Sequence, residues 1–374
     1  MKLLEKETGI LKYSRHIILV LSLALISVGV GCSSSDDSDP GDPMGNNQTD
    51  DDPNGNGNGD DEGYEVETFV TGLTAPQGIE LDDQGRLWVA EQGNGGNSGR
   101  ISVIDASGSV FPYMINIPSV IEEGSAGSVH HLLIENDTLW IALGLTSQVA
   151  GGAFLKLDIS NFTPGDPPVE YSEGPLVTNI ADFVLNYDFD NQTGESNAYN
   201  LTLAPDGHIY LVDAAANAVI QIDKSTDIFV ELLAELPTIS NPTGVGPPRM
   251  DAVPTGIIYF EDRFLVSAFV GFPFTPGDSR IYSVSTTGVV TTFKSNFTGA
   301  VDLVGDNSKY FLLEYASFGQ QGFQSRTGKV TRFEGNEQTV IAEQLNFPNG
   351  ICIGNNNELY VTSKDGSILR ISEK

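Results

Sequence analysis

Cysteine is nearly absent: Cys32 and Cys352 are the only two in 374 residues. A disulfide framework is therefore not what stabilises the fold, and four histidines leave no Cys/His cluster with zinc-like spacing. Positive charge is equally scarce, with 19 Lys and Arg against 50 Asp and Glu and a net charge of −31. Nucleic acid and anionic membrane surfaces need a basic face, so both are excluded as partners of the folded domain. No Gly-rich phosphate loop and no G-x-S-x-G nucleophile elbow occurs, which removes two common routes to chemistry. The one long apolar run, residues 17–30, is too short for a comfortable transmembrane span.

That run instead reads as the core of a targeting segment over residues 1–31. Lys2, Lys6, Lys12 and Arg15 precede it, and Gly31-Cys32 follows. The pattern resembles a bacterial lipoprotein signal with Cys32 as the lipidated first residue, although Gly29 stands where Leu or Val is usual. Residues 32–63 are almost devoid of apolar side chains and rich in Asp, Asn, Gly and Ser, so they cannot offset their ordering entropy and read as a disordered acidic tether. The Ser-Asp-Asp run after the cysteine resembles the export signal of Bacteroidetes surface lipoproteins. Outer membrane or cell surface is the expected location, reached through the lipid on Cys32.

What the rest of the chain holds is repetition. PQGIELDDQGRLWVAE (76–91) is an apolar strand, an Asp-Asp-Gln-Gly turn and a second strand, the makings of a β-hairpin. The pattern recurs at 131–143, 200–213, 255–268, 302–314 and 349–363. A spacing of about 52 residues suits blades of four short strands, so residues 64–374 predict an all-β, six-bladed β-propeller. Third strands follow each hairpin, and VFPYMI, VEYSE, FVELLAEL, VVTTFKS and QTVIAEQL supply fourth strands for the first five copies. The sixth copy lacks one; YEVETFVTGL (64–73) is positioned to complete it and close the ring. Nothing in such a ring demands a dimer, and a monomer is expected.

The wording of the copies points to a family. TGLTAPQGIELDDQGRLWVAEQGNGGNSGRISVID, SVHH, ESNAYNLTLAPDGHIYLVDAAANAVIQID, VPTG, GFPFTPGDSRIYSV and LNFPNG together resemble the ScyD/ScyE family over residues 68–374. The resemblance implies a propeller related to NHL-type and gluconolactonase-like proteins, without a settled activity. Ala198 and Ala268 depart from its pattern, where proline and an acidic residue are usual.

In a propeller the starts of the innermost strands ring a central channel. Here those positions are Gln77, His130 with His131, Asn197 with Tyr199, Thr255, Ala300 and Asn349. A second ring, at the ends of the second strands, reads Glu91, Leu143, Asp213, Ala268, Glu314 and Ser363. Glu91, Asn197, Asp213, Glu314 and Asn349 are hard oxygen ligands suited to Ca²⁺ or Mg²⁺, and His130 or His131 could act as general base beside such an ion. In architecture this resembles gluconolactonase-like propellers, which hold a divalent ion in the channel, and streptogramin lyases, which use a His beside one; the resemblance implies a metal-dependent hydrolase or lyase, with no ligand motif transferring residue by residue. Against it stands a structural reading in which the same carboxylates cap backbone groups, leaving a binding module for a protein, glycan or small ligand. Asp188, Asp190 and Glu195 resemble a calcium loop but break EF-hand spacing, so an exposed loop is expected there. Phe272, Phe274, Phe318 and Phe323, in loops between second and third strands, are candidates for a binding surface or for packing between loops. Cys352 is expected to be a buried, inert thiol.

Overall fold

The computed structural model describes residues 63–122, 125–144, 152–173, 176–190, 194–224, 229–306 and 308–374; the predicted leader, Cys32 and almost all of the predicted tether lie outside them. Short strands gather into six four-stranded antiparallel blades, each meandering from the channel outward. Blade one uses Pro76–Leu81, Leu87–Glu91, Gly96–Ile104 and Val110–Glu122, and blade three uses Ala198–Leu203, Ile209–Asp213, Ala218–Asp223 and Phe229–Glu235. Every inner strand runs beside the inner strands of the preceding and following blades, and the first lies against the last. The ring is closed.

The turns follow from local chemistry. Asp82 accepts hydrogen bonds from Gln84 N (3.0 Å) and Arg86 N (2.8 Å), while Gly85 takes φ +76°, a conformation that favours glycine. Asp206 and Asp365 repeat the device with His208 N (2.9 Å) and Ser367 N (3.1 Å). Between the turns, strands alternate apolar residues onto both blade faces, so the core lies in layers between neighbouring blades. Trp88, fully buried between blades one and two, keeps its indole N–H satisfied on Asp82 Oδ2 at 2.8 Å.

The N-terminal strand closes the last blade as the sequence suggests. Tyr64–Val70 runs antiparallel to Ser367–Glu373 from Tyr64↔Glu373 to Val70↔Ile368, and Lys374 N bonds Gly63 O at 3.0 Å. Blade two requires a correction. VEYSE is not its outer strand: Val169–Glu170 pairs in parallel with Met114 and Ile115 on the rim of blade one. Pro167 and Pro168, which offer no N–H and fix φ, deliver it there, and a 3₁₀ turn over Tyr171–Glu173 ends it. The outer place belongs to Leu176–Asn179, paired with Ala153–Asp158. A helix over Ile180–Asn186 follows, capped by Asn179 Oδ1 accepting from Asp182 N. Seven residues are too few for a helical period to show in the sequence.

Candidate functional site

One irregularity, repeated in all six blades, builds the channel mouth. Pairing between inner and second strands slips at Pro76/Ile79, Val129/His131, Ala198/Asn200, Pro254/Gly256, Ala300/Asp302 and Pro348/Gly350. A β-bulge re-aims the side chain it carries. The bulged residues include Gln77, His130, Tyr199, Thr255, Val301 and Asn349, and they reach across blade boundaries. Asn349 Nδ2 bonds Gln77 Oε1, the His130 and Tyr199 rings stack at 4.5 Å, and Thr255 Oγ1 donates to Ala300 O at 3.0 Å. The expected ring thus holds at Gln77, His130, Thr255 and Asn349. In blade five its member is Val301 rather than Ala300, and in blade three it is Tyr199 of the expected pair Asn197 and Tyr199, because the bulge falls on the second residue of the strand.

The second ring has a different duty. Its six members pair with the first residues of their inner strands, Glu91 with Pro76, Asp213 with Ala198 and Glu314 with Ala300 among them. Each of these three carboxylates accepts the N–H of the residue leading into that strand: Thr74 N on Glu91 (2.6 Å), Asn197 N on Asp213 (2.9 Å), Thr298 N on Glu314 (2.6 Å). Other groups also surround them. Arg100 forks onto Glu91 at 2.7 and 2.8 Å with Ser102 Oγ at 2.5 Å; Asp213 takes Ser196 Oγ, Ala215 N and Ala216 N; Lys329 Nζ stands 3.2 Å from Glu314. Burial raises the pKa of Asp213 and Glu314, opposed in each case by those hydrogen bonds. These bonds commit the three carboxylates to their strand ends, while Asn197 faces His130 and Asn349 bonds Gln77. Among the described residues, no group of three or more His, Cys, Asp or Glu side chains stands close enough to hold a metal ion.

Below the mouth the channel is crossed by a polar knot. The residues after the bulges read Gly78, His131, Asn200, Gly256, Asp302 and Gly350 around the ring. Asp302 accepts from Asn200 Nδ2 (2.9 Å), Leu303 N (2.8 Å) and Ile351 N (3.0 Å), and lies 3.3 Å from His131 Nε2. Asn200 Nδ2 also reaches Thr255 O at 3.2 Å. The glycines make the room: a Cβ on Gly78 would stand 2.7 Å from the His131 ring, and one on Gly350 2.3 Å from Gln77 O. Burial pulls the His131 pKa down, but the charge and hydrogen bond of Asp302 and the charge of Glu80 outweigh it, and the net shift is upward. Glu80 keeps some opening to solvent yet is enclosed by the channel; burial, reinforced by Asp302 and opposed by His131, pushes its pKa up to about 7. Neither Asn200 nor Asp302 figures among the residues expected from the sequence. The signal was available, since aligning the six hairpins places three polar residues and three glycines at one position.

At the mouth itself, Gln92 Nε2 lies 3.3 Å from His130 Nδ1, and the other ring nitrogen faces Asn197 Oδ1. Burial and the nearby Lys364 ammonium hold His130 down to about 3, against the Asn197 oxygen, so its imidazole is neutral at physiological pH. Lys364 lies over the Tyr315 ring at 6.0 Å, and burial lowers its pKa to about 8. Two further groups matter most: Gln92 Oε1 and the Tyr315 hydroxyl, on residues 2% and 4% exposed, have no hydrogen-bond partner among the described residues. From Tyr315 aromatic rings continue outward through Phe323 (5.4 Å) and Phe274 (5.4 Å further) to Phe272, 37% exposed. Phe274 is buried and meets Phe318 at 4.9 Å, so these four phenylalanines pack the loops together while presenting Phe272 outward. Asp188 and Asp190 are exposed, and Asp190 N bonds Glu235 Oε2 at 3.0 Å. Cys352 is buried among apolar side chains with its pKa raised well above the usual range.

Solved structures place this geometry among known folds. The chain is similar to a catalytically inactive virginiamycin B lyase from Staphylococcus aureus with quinupristin, at 16% identity over 83% of this chain and 99% of that one, with a TM-score of 0.50. It is also similar to a PQQ-bound aldose sugar dehydrogenase from Streptomyces coelicolor (10% identity, 83% and 99% covered, TM-score 0.54). A Bacteroides thetaiotaomicron protein of unknown function gives 11% identity, 83% and 76% covered, and a TM-score of 0.55. The chain is a six-bladed β-propeller. At such identities the likeness speaks for fold alone. No protein-family model matches the chain, and no curated protein does.

Proposed function

We propose that this propeller is a binding module of the cell envelope whose ligand site is the channel mouth. The observation that carries the reading is the pair of buried, unpartnered groups there, Gln92 Oε1 and the Tyr315 hydroxyl. A buried polar atom without a partner costs about 1–3 kcal/mol, which a ligand can recover by supplying the missing bond. The alternative, a metal-dependent hydrolase or lyase, finds support in the fold but would need the caps around Glu91, Asp213 and Glu314 to open. His130 also favours binding over proton abstraction. With Gln92 Nε2 donating to Nδ1, the imidazole proton sits on Nε2 and is directed toward Asn197.

Gly144 offers a clean test. A Cβ there would stand 2.1 Å from His130 Nε2 and 2.3 Å from Asn197 Oδ1, displacing side chains rather than backbone. Gly144→Ala is expected to abolish or weaken at least tenfold the binding of fragments that saturation-transfer NMR detects on the parent protein. Fragments that bind both proteins alike would place the ligand site elsewhere. The envelope part of the proposal rests on the leader and Cys32. Cys32→Ser is expected to shift the protein from the membrane fraction to the soluble one, and continued membrane association would overturn the anchor.

A further inference from the structure

We propose that the mouth takes a neutral polyhydroxylated ligand, a sugar ring or glycan end, with its hydroxyls on Gln92 and Tyr315 and its C–H face against the mouth aromatics. The proposal rests on reading the mouth as the ligand site and adds the chemical class. The argument begins with what the unsatisfied atoms ask for. Gln92 Oε1 is a carbonyl oxygen that accepts no hydrogen bond among the described residues, and the Tyr315 hydroxyl can both donate and accept. A buried acceptor beside a buried hydroxyl calls for a ligand rich in O–H groups, each able to donate and accept.

Other classes fit less well. A flat apolar ligand would leave Gln92 Oε1 and the Tyr315 hydroxyl orphaned in a drier site, worsening the cost they already carry. A multiply charged anion needs several cationic donors or a nest of backbone N–H groups. Among the described residues, Lys364 is the cation placed beside His130 and Tyr315, and His130 is neutral. The walls complete the picture, since His130 stacks on Tyr199 at 4.5 Å, and Tyr315 lies 5.6 Å from Phe347. A sugar ring combines dense hydroxyls at its edge with an apolar face, and this lining offers amides and aromatic rings in the same place.

The experiment titrates the whole mature protein, by calorimetry, with three probe sets: methyl hexosides and pentosides, hexuronates with hexose phosphates, and p-cresol with benzyl alcohol. Each is repeated on Tyr315→Phe, which removes a buried hydroxyl that has no partner among the described residues and so leaves the melting temperature at or above the parent's. The proposal expects methyl glycosides to bind, and Tyr315→Phe to weaken them about three- to tenfold, the loss of one hydrogen bond. If only the anionic or only the aromatic set binds, and Tyr315→Phe weakens it, the sugar assignment is overturned while the mouth remains the site. If no set binds, or if binding ignores Tyr315→Phe, the mouth reading falls with it.

Discussion

Replacing Asp302 with alanine is expected to destabilise the propeller by about 3–5 kcal/mol, the range for removing one side of a buried charged network. Asp302 is 2% exposed and receives Asn200 Nδ2, Leu303 N and Ile351 N, with His131 at 3.3 Å. Truncation would leave those donors facing a cavity, each at the cost of an unmet buried hydrogen bond. Because the donors come from blades two, three, five and six, the loss spreads around the ring. Asp302→Asn keeps one acceptor oxygen and the volume, so it should cost less than half as much. Urea denaturation of both variants, with the slope checked against the parent, measures the difference. A cost under 1 kcal/mol for Asp302→Ala would mean that the knot fills the channel without holding it.

Glu80→Gln is expected to leave stability near the parent's at pH 4.5 and to raise it, relative to the parent, on the order of 2 kcal/mol by pH 8. The sign follows from the direction of the shift. Glu80 has a folded pKa of about 7, above its ordinary 4.5, so its favourable contribution is complete below about 4.5 and is lost as pH rises through 7. Glutamine cannot ionise and does not suffer that loss. His131, also raised, acts in the same direction above its ordinary value, whereas His130, lowered to about 3, loses stability as the pH falls below 6.5. Comparing variant with parent at each pH cancels the contributions of His130 and of Lys364, which is lowered to about 8. The magnitude is kept below the full value of the shift because Glu80 retains some contact with solvent. A difference that stays flat from pH 4.5 to 8 would show that Glu80 is hydrated like a surface carboxylate.

Much of this molecule is legible in its sequence because a repeat states the same rule six times. The Asp-Asp-Gln-Gly turn after Leu81 and its counterparts mark the hairpins, and YEVETFV is recognisable as the strand the sixth blade lacks. The mouth positions at Gln77, His130, Thr255 and Asn349 follow from the same alignment. Asp302 escapes notice because its significance is relational: a lone aspartate in DLVG says little until Asn200 and His131 are seen at the same level. The outer strand of blade two is obscured for another reason. VEYSE has strand composition, but the two prolines before it decide which sheet it joins, and such a choice depends on where the neighbouring rim lies. Carboxylates at strand ends serve the backbone as well: Glu91, Asp213 and Glu314 accept from Thr74 N, Asn197 N and Thr298 N, a duty that residue type and spacing alone do not reveal.

The measurement that bears most directly on the channel mouth as the working site is a crystal structure of the protein grown with the tightest-binding glycoside. The ligand is expected above the knot, with a hydroxyl within hydrogen-bond distance of Gln92 Oε1 and another on the Tyr315 hydroxyl. The caps on Glu91, Asp213 and Glu314 should be undisturbed. Ligand seated away from these groups, or a divalent ion drawing those carboxylates out of their caps, would contradict it.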